Sequence, residues 1–296
     1  MNAHKCNLVL AGCPKCGTSS LHIYLDMHPN IVMSDVKEPH YFSVENMWVR
    51  GPRYHNALFR PGKKKDIAYY GESSTTYGIS DIALRRVKEA LVEPKIIFIV
   101  RDPVERAISN YRWLYSLGLE NRPILEALEI DRLGFDPNQL LVGNYTGYLQ
   151  TGVYSNYIPK WQEVFGEGNV LILFTDELSK NPKGVLHHCF DFLKLQSLEA
   201  FPQINTNQTQ DSFRVMNRRI GSVMSKIAPK FIKEVAKRIP MMNTFWRVAA
   251  QYTLRVEPPI VATKDRDKIA TLLENEVVYY RNLKANHSLD KIAKML

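Results

Sequence analysis

The run Cys6-Asn7-Leu8-Val9-Leu10-Ala11-Gly12-Cys13-Pro14-Lys15-Cys16-Gly17-Thr18-Ser19-Ser20-Leu21 decides the architecture. Its first six residues form a short apolar segment ended by Gly12, which reads as a buried strand. From Thr18 onward Leu21, Tyr24, Leu25 and His28 recur at helical spacing, and Pro29 closes the segment. The loop between strand and helix is suited to an anion. Gly12 and Gly17 let the backbone curl, while the helix start offers free N–H groups and the positive end of its dipole. Thr18, Ser19 and Ser20 add hydroxyl donors, and Lys15 and Cys16 sit inside the curl.

Three readings compete for this loop. A nucleoside-triphosphatase P-loop, G-x-x-x-x-G-K-[ST], accounts for the spacing of Gly12 and Gly17, yet Thr18 stands at its lysine position. A thioredoxin-type C-x-x-C accounts for Cys13-Pro14-Lys15-Cys16 but leaves Gly17 to Ser20 without a purpose. The third reading is a resemblance. Pro14, Lys15, Gly17, Thr18, Ser19 and Leu21 match P-K-x-G-T-[ST]-x-L, the 5′-phosphosulfate loop of the sulfotransferases that use 3′-phosphoadenosine 5′-phosphosulfate (PAPS).

A second segment decides among them. Lys95 to Ser109 reads K-I-I-F-I-V-R-D-P-V-E-R-A-I-S: the clearest buried strand in the chain, then Arg101 at its end, then a helix opening at Pro103. A guanidinium at a strand end clamps a phosphate as a bidentate fork. Ser109, two turns along the helix, is placed to face the same crevice. Asp102 has a competing reading as a magnesium ligand, but Arg101 beside it repels a metal. The segment resembles the family's 3′-phosphate motif R-[DN]-P-x-x-R-x-x-S, with Arg101, Asp102, Pro103, Arg106 and Ser109 matching.

Lys37-Glu38-Pro39-His40-Tyr41-Phe42 is similar to a K-E-x-H-[FY]-F segment of bacterial and heparan sulfate sulfotransferases, whose glutamate resembles a catalytic base. The resemblance therefore implies Glu38 as base, with His40 as second choice, and either residue could instead serve as a cap or ion-pair partner. It implies PAPS as co-substrate, 3′-phosphoadenosine 5′-phosphate (PAP) as product, Lys15 on the leaving-group oxygen and no metal. Gly71-Glu72-Ser73-Ser74-Thr75-Thr76-Tyr77 looks like the family's G-E-K-[ST]-P-x-Y segment. Ser73 replaces its lysine, which leaves Lys37 as a substitute. Thr151-Gly152-Val153-Tyr154 with Ile158 and Trp161 resembles a family helix that packs rather than reacts. Family members close the donor site with a late loop, a part that Asn205 to Asn217 would take here, with Arg214 as a phosphate contact.

Further strands are expected at Ile67 to Tyr70 and Val170 to Phe174, and helices at Ile79 to Leu91, Pro103 to Leu117, Tyr154 to Phe165 and Gly184 to Leu195. Gly118 to Gly152 reads as loop. Alternating strands and helices imply an α/β fold with a P-loop-like parallel sheet flanked by helices, ligands binding at the carboxyl ends of strands. At 296 residues, 45% of them hydrophobic, the chain suits a single domain. Residues 1–205 form its core and 206–296 a mostly helical basic extension serving the acceptor side and the lid.

No run approaches the roughly 20 apolar residues of a membrane span. Met1 to Lys5 lacks a secretory signal pattern, and four cysteines form no disulfide framework, so a cytoplasmic location is expected. Of the net charge of +9, all is matched by Ser212 to Val256, where ten basic residues meet one acid, Glu234. Such a segment is either a solvated helical face or an attractor of anions. A nucleic-acid-binding protein is thus the non-enzyme alternative, unlikely because the aromatic residues there are scattered without a motif. A small-molecule kinase is the enzyme alternative. The acceptor, whether a glycan, a lipid or a small natural product, and the oligomeric state are not encoded legibly.

Overall fold

A computed structural model describes residues 4–116, 119–131, 147–199, 214–216, 253–255 and 259–293. Its centre is a five-stranded, all-parallel sheet in the order β2-β3-β1-β4-β5. The strands are β1 (Leu8–Gly12), β2 (Ile31–Met33), β3 (Tyr69–Ser73), β4 (Lys95–Val100) and β5 (Val170–Phe174). All five residues of β1 and of β5 are buried, as is every residue of β4 after Lys95. Successive side chains point to opposite faces, so uninterrupted burial means both faces are covered, and this is why these strands read as continuous apolar runs.

From β1 the chain passes to the edge strand β2, returns to β3 between them, then crosses to β4 on the other side of β1 and continues to β5. The neighbours β1 and β4 therefore send their following segments in opposite directions. Their carboxyl ends form the switch-point crevice at which open α/β sheets bind ligands. Cys13 N donates to Ile99 O at 3.0 Å, holding the loop after β1 against the end of β4.

The expected strands at β1, β4 and β5 agree with the structure to within two residues. The third expected strand lies further along, at Tyr69–Ser73, because pairing sets its register: Gly71, Glu72 and Ser73 align with Leu8, Val9 and Leu10. Gly71 is required there, since a Cβ would come within 2.5 Å of Met33 Sδ and 3.1 Å of Leu8 Cδ2. β2 escaped the sequence reading because three apolar residues carry no measurable period.

The helix α1 spans Thr18–Asp26, and α2 (Glu45–Trp48) and α3 (Gly51–Asn56) lie between β2 and β3. α4 (Asp81–Ala90) is capped by the Ser80 hydroxyl, which accepts from Ala83 N at 3.2 Å. α5 (Pro103–Ser116) begins on a proline whose missing N–H costs nothing at a first helical position. Asp102 Oδ1 accepts from Val104 N at 3.0 Å and Glu105 N at 3.1 Å, so this carboxylate is a helix cap. α6 (Ile124–Asp131) occupies part of the stretch expected to be loop. Its Ile124, Ala127 and Leu128 pack with Ile108, Tyr111 and Leu114 of α5.

α7 (Ile158–Phe165) is preceded by a single 3₁₀ turn at Tyr154–Asn156. Its Trp161 is fully buried and donates to Gly78 O at 3.2 Å. α8 (Thr175–Lys180) follows β5 directly, and α9 (Pro182–Phe192) starts two residues earlier than expected, capped by Asn181.

Beyond residue 205 the described residues are mostly helical, as expected, with two short strands besides. β6 (Arg214–Met216) and β7 (Thr253–Arg255) pair antiparallel, bringing Arg214 into register with Arg255. The rest of the expected lid and most of the basic 212–256 segment lie outside the described residues. α10 (Thr263–Leu272), α11 (Glu274–His287) and α12 (Leu289–Ala293) follow. Tyr280 and Leu283 of α11 join the core around the sheet, and Lys284 pairs with Asp176 of α8. No helix among the described residues is long and apolar enough to cross a membrane. Replacing Asp102 by Ala should lower stability by about 1 kcal/mol through loss of the α5 cap, read as a reduced urea midpoint at constant slope.

Candidate active site

The loop after β1 wraps the start of α1. Gly17 adopts φ +93° at the helix entry, a backbone that disfavours any side chain, and α1 then opens with Thr18, Ser19 and Ser20. Thr175, the first residue of α8, fastens the loop: its hydroxyl lies 2.6 Å from Cys16 O and 3.0 Å from Val100 O. Tyr154 holds the other strand end, donating to Arg101 O at 2.7 Å and accepting from Arg101 N at 3.3 Å. Tyr157 donates to Thr151 O at 3.0 Å and lies 3.0 Å from Cys13 Sγ. The segment read as packing thus packs against the loop after β1 and the end of β4.

Lys15 lies inside the crevice with φ +67°, its Nζ 5.1 Å from the centre of the Trp113 ring. Arg101 Nη1 approaches Lys15 O at 3.5 Å, which brings the two cation-bearing segments together as expected. Burial, and then the charge of Arg101, push the Lys15 ammonium down to about 8, opposed by Glu38 and reinforced by Lys37. Lys15, Lys37, Arg101 and Glu38 therefore share one electrostatic neighbourhood with an excess of positive charge. Ser109 lies half-buried on α5 two turns past Asp102, and Arg112 stands one turn further.

Arg112 and Arg266 were missed by sequence reading. The Arg112 guanidinium is depressed by burial and by Arg266, and Arg101 adds to this. Arg266 pairs with Glu105, whose other oxygen is 3.9 Å from Arg101 Nη2. Arg112 could have been noticed from its i+3 relation to Ser109 on one helix face; Arg266, far along the chain, carries no local signal. Arg106, matched in the strand-end motif, is fully buried. It donates to Tyr148 O, and its Nε and Nη1 have no partner among the described residues.

The segment after β2 supplies the carboxylate. Glu38 and His40 both adopt left-handed backbone, φ +59° and +51°, an uncommon state for residues with side chains. Surrounding bonds impose it: Glu38 N donates to Ser73 O at 2.9 Å, and His40 N to Ser74 Oγ at 3.0 Å. The Glu38 carboxylate accepts Lys37 Nζ on Oε1 at 2.7 Å and the Thr75 hydroxyl on Oε2 at 3.0 Å. His40 Nε2 stands 3.5 Å from Oε2, while its Nδ1 is 2.9 Å from Thr76 Oγ1. Burial depresses the His40 imidazole despite the nearby Glu38 charge, which favours its neutral form.

Ser73, at the position where the resemblance has lysine, is bonded at 2.5 Å to His22 Nδ1. Burial, then Lys37, drive the His22 imidazole down to about 4. His22 was missed as well, since on the sequence it is one more position of an amphipathic helix. Cys13 and Cys16 are buried free thiols, against Tyr157 and Tyr154 respectively. The side chain of Arg214 lies outside the described residues.

The arrangement offers two strand-end cation sites and, beside them, a carboxylate held between a lysine and two hydrogen-bonding side chains. The family model for the sulfotransferase domain matches residues 5–243, and the chain belongs to that family. It is 28% identical over 215 residues to mouse (Mus musculus) heparan sulfate glucosamine 3-O-sulfotransferase 3B1, covering 72% of this chain and 52% of the relative. It is 27% identical over 191 residues to mouse bifunctional heparan sulfate N-deacetylase/N-sulfotransferase 2, covering 62% of this chain and 21% of the relative. The chain thus spans about half or less of these relatives. The crystal structure of a sulfotransferase from Alicyclobacillus acidocaldarius superposes with TM-score 0.59 at 26% identity, covering 77% of this chain and 93% of that one.

Thr175→Val keeps the shape of the side chain but removes the single O–H that the Cys16 and Val100 carbonyls share. It should cost about 1–3 kcal/mol in unfolding free energy, read by chemical denaturation.

Proposed function

We propose that this chain transfers the sulfuryl group of PAPS to a hydroxyl or amine of an acceptor. The observation that carries the reading is the convergence of Lys15 with Arg101, Lys37 and Glu38 at the β1/β4 crevice. A doubly anionic nucleotide balances that excess of positive charge. In this reading the loop from Lys15 to Ser20 holds the 5′ end of the donor, and Arg101 with Ser109 holds the 3′-phosphate. Arg214 would approach from the lid, and the chain would act as one domain.

The acceptor oxygen or nitrogen attacks sulfur in line, its proton passes to Glu38, and the bond from sulfur to the 5′-phosphate oxygen breaks as PAP leaves. Sulfuryl transfer resembles loose phosphoryl transfer, where positioning and charge stabilisation provide most of the acceleration. Lys15 stabilises charge growing on the bridging oxygen, so no metal is assigned a step. Neutral His40, bonded to Thr76 and close to Glu38, orients the carboxylate, which makes Glu38 the stronger candidate base. Lys37 takes the position left open by Ser73. The cations Arg112 and Arg266 beside Arg101, together with relatives named for heparan sulfate glucosamine, make an anionic amino-sugar glycan the acceptor class we assign.

Labelled PAPS offered with sulfated glycans, simple hydroxyl compounds and amines tests this directly. Label is expected on the glycan; transfer only to small hydroxyl or amine compounds would overturn the acceptor class. PAP should raise the melting temperature well beyond ATP–Mg²⁺ at equal concentration, and equal shifts would favour a kinase. Lys15→Ala should lower turnover by on the order of 10²–10³ or more with the fold retained.

The depressed Lys15 ammonium gives a pH signature. The charged form does the work, so kcat/KM for the donor should fall as pH rises through about 8. In Lys15→Arg, whose guanidinium stays charged, that limb should vanish; an unchanged limb would assign the titration elsewhere. Arg101→Ala should weaken PAP far more than adenosine 5′-phosphosulfate, measured by calorimetry, and equal weakening would remove Arg101 from the 3′-phosphate.

A further inference from the structure

β3 presents a second cluster, turned away from the crevice. Ser73 points to His22, and the preceding residue, Glu72, points to the opposite face, as strand alternation requires. There Glu72 meets His55 of α3 and Cys6, which directly precedes β1. Glu72 and His55 are fully buried and Cys6 is 2% exposed. One donor atom from each lies within 4.8 Å of the other two, and His55 Nε2 is 3.1 Å from Glu72 Oε1.

We propose that Cys6, His55 and Glu72 form a binding site for a divalent transition-metal ion of the zinc class, with one coordination position left to water. Thiolate, imidazole and carboxylate together are the donor set such an ion takes. The outer contacts fit ligation. His55 Nδ1, the nitrogen remote from Glu72, lies 3.2 Å from His4 Nδ1, and Tyr77 donates to Glu72 Oε2 at 2.9 Å. Tyr41 stacks on the His55 ring at 4.1 Å between centroids and 6° between planes, fixing its orientation. Metal-ligating histidines and carboxylates are held by such secondary bonds.

Charge points the same way. One thiolate and one carboxylate neutralise the ion, leaving no net charge in the core. A surface cavity lined by His4, Tyr41, Trp48, Gly51, Pro52, Glu89 and Ala90 reaches His4 and the Tyr41 ring beside His55. An ion here ties the segment before β1, α3 and β3 together behind Ser73, whose carbonyl holds Glu38 N. The site is independent of donor chemistry and has no part in the transfer step.

The full chain, dialysed against a chelator and titrated with Co²⁺ alone, tests the proposal. About one Co²⁺ per chain should bind with a near-ultraviolet thiolate-to-cobalt band, and Zn²⁺ should displace it. The band should disappear in Cys6→Ser, weaken in His55→Gln and persist in Cys13→Ser and Cys189→Ser. Zn²⁺ should raise the melting temperature of the parent and leave that of Cys6→Ser unmoved. Should Cys6→Ser fail to give a cooperative unfolding transition, Glu72→Gln supplies the comparison, with a shifted band and weakened binding expected. No thiolate band in the parent chain, or a band lost with Cys13 rather than Cys6, would overturn the site.

Discussion

The structure depends on two like-charged segments being held against each other at neighbouring strand ends. Lys15 and Arg101 repel, and burial deprives Lys15 of water, so the crevice they share is suited to an anion. Neutral hydrogen bonds hold the arrangement: Cys13 N on Ile99 O, Thr175 on Cys16 O and Val100 O, and Tyr154 on both backbone groups of Arg101. Because these fasteners are backbone carbonyls and hydroxyls, they lock the geometry without neutralising the charge the ligand is to meet. Preorganisation of that kind removes reorganisation cost at the moment of binding.

The carboxylate side is built by a different device. Glu38 and His40 are forced into left-handed backbone on either side of Pro39, and polar atoms of Ser73, Ser74, Thr75 and Thr76 receive the resulting groups. The polar run following β3 thus acts as a template for the segment following β2. A zinc-class ion behind Glu72 stiffens the same strand from its other face. The departure of Ser73 from the family's lysine is accompanied by a neutral His22 bonded to it and by Lys37 beside Glu38, so the positive charge enters from the neighbouring loop.

The C-terminal helices complete the crevice from far along the chain. Arg266 joins Glu105 and the neighbourhood of Arg112, while Lys284 and Glu276 tie α11 to α8 and to Ser155. The crevice is therefore assembled from stretches far apart in the sequence. Arg106, whose guanidinium is fully buried, carries the motif's signature yet faces inward, where it acts on Cys13, Cys16 and Tyr154.

The sequence alone determined the strands β1, β4 and β5 and the helices α1, α5 and α9, because burial of the strands on both faces writes continuous apolar runs and glycines and prolines mark the turns. It also determined Lys15, Arg101 and Glu38 as the residues to watch, since each lies in a contiguous motif at a strand end or in the loop following one. Only the tertiary structure decided the register of β3, the antiparallel pairing of Arg214 with Arg255, and the parts of His22, Arg112, Thr175, Arg266 and the Cys6–His55–Glu72 cluster. These rest on contacts between residues dozens to more than a hundred positions apart, and local periodicity carries no information about which distant side chains packing will bring together.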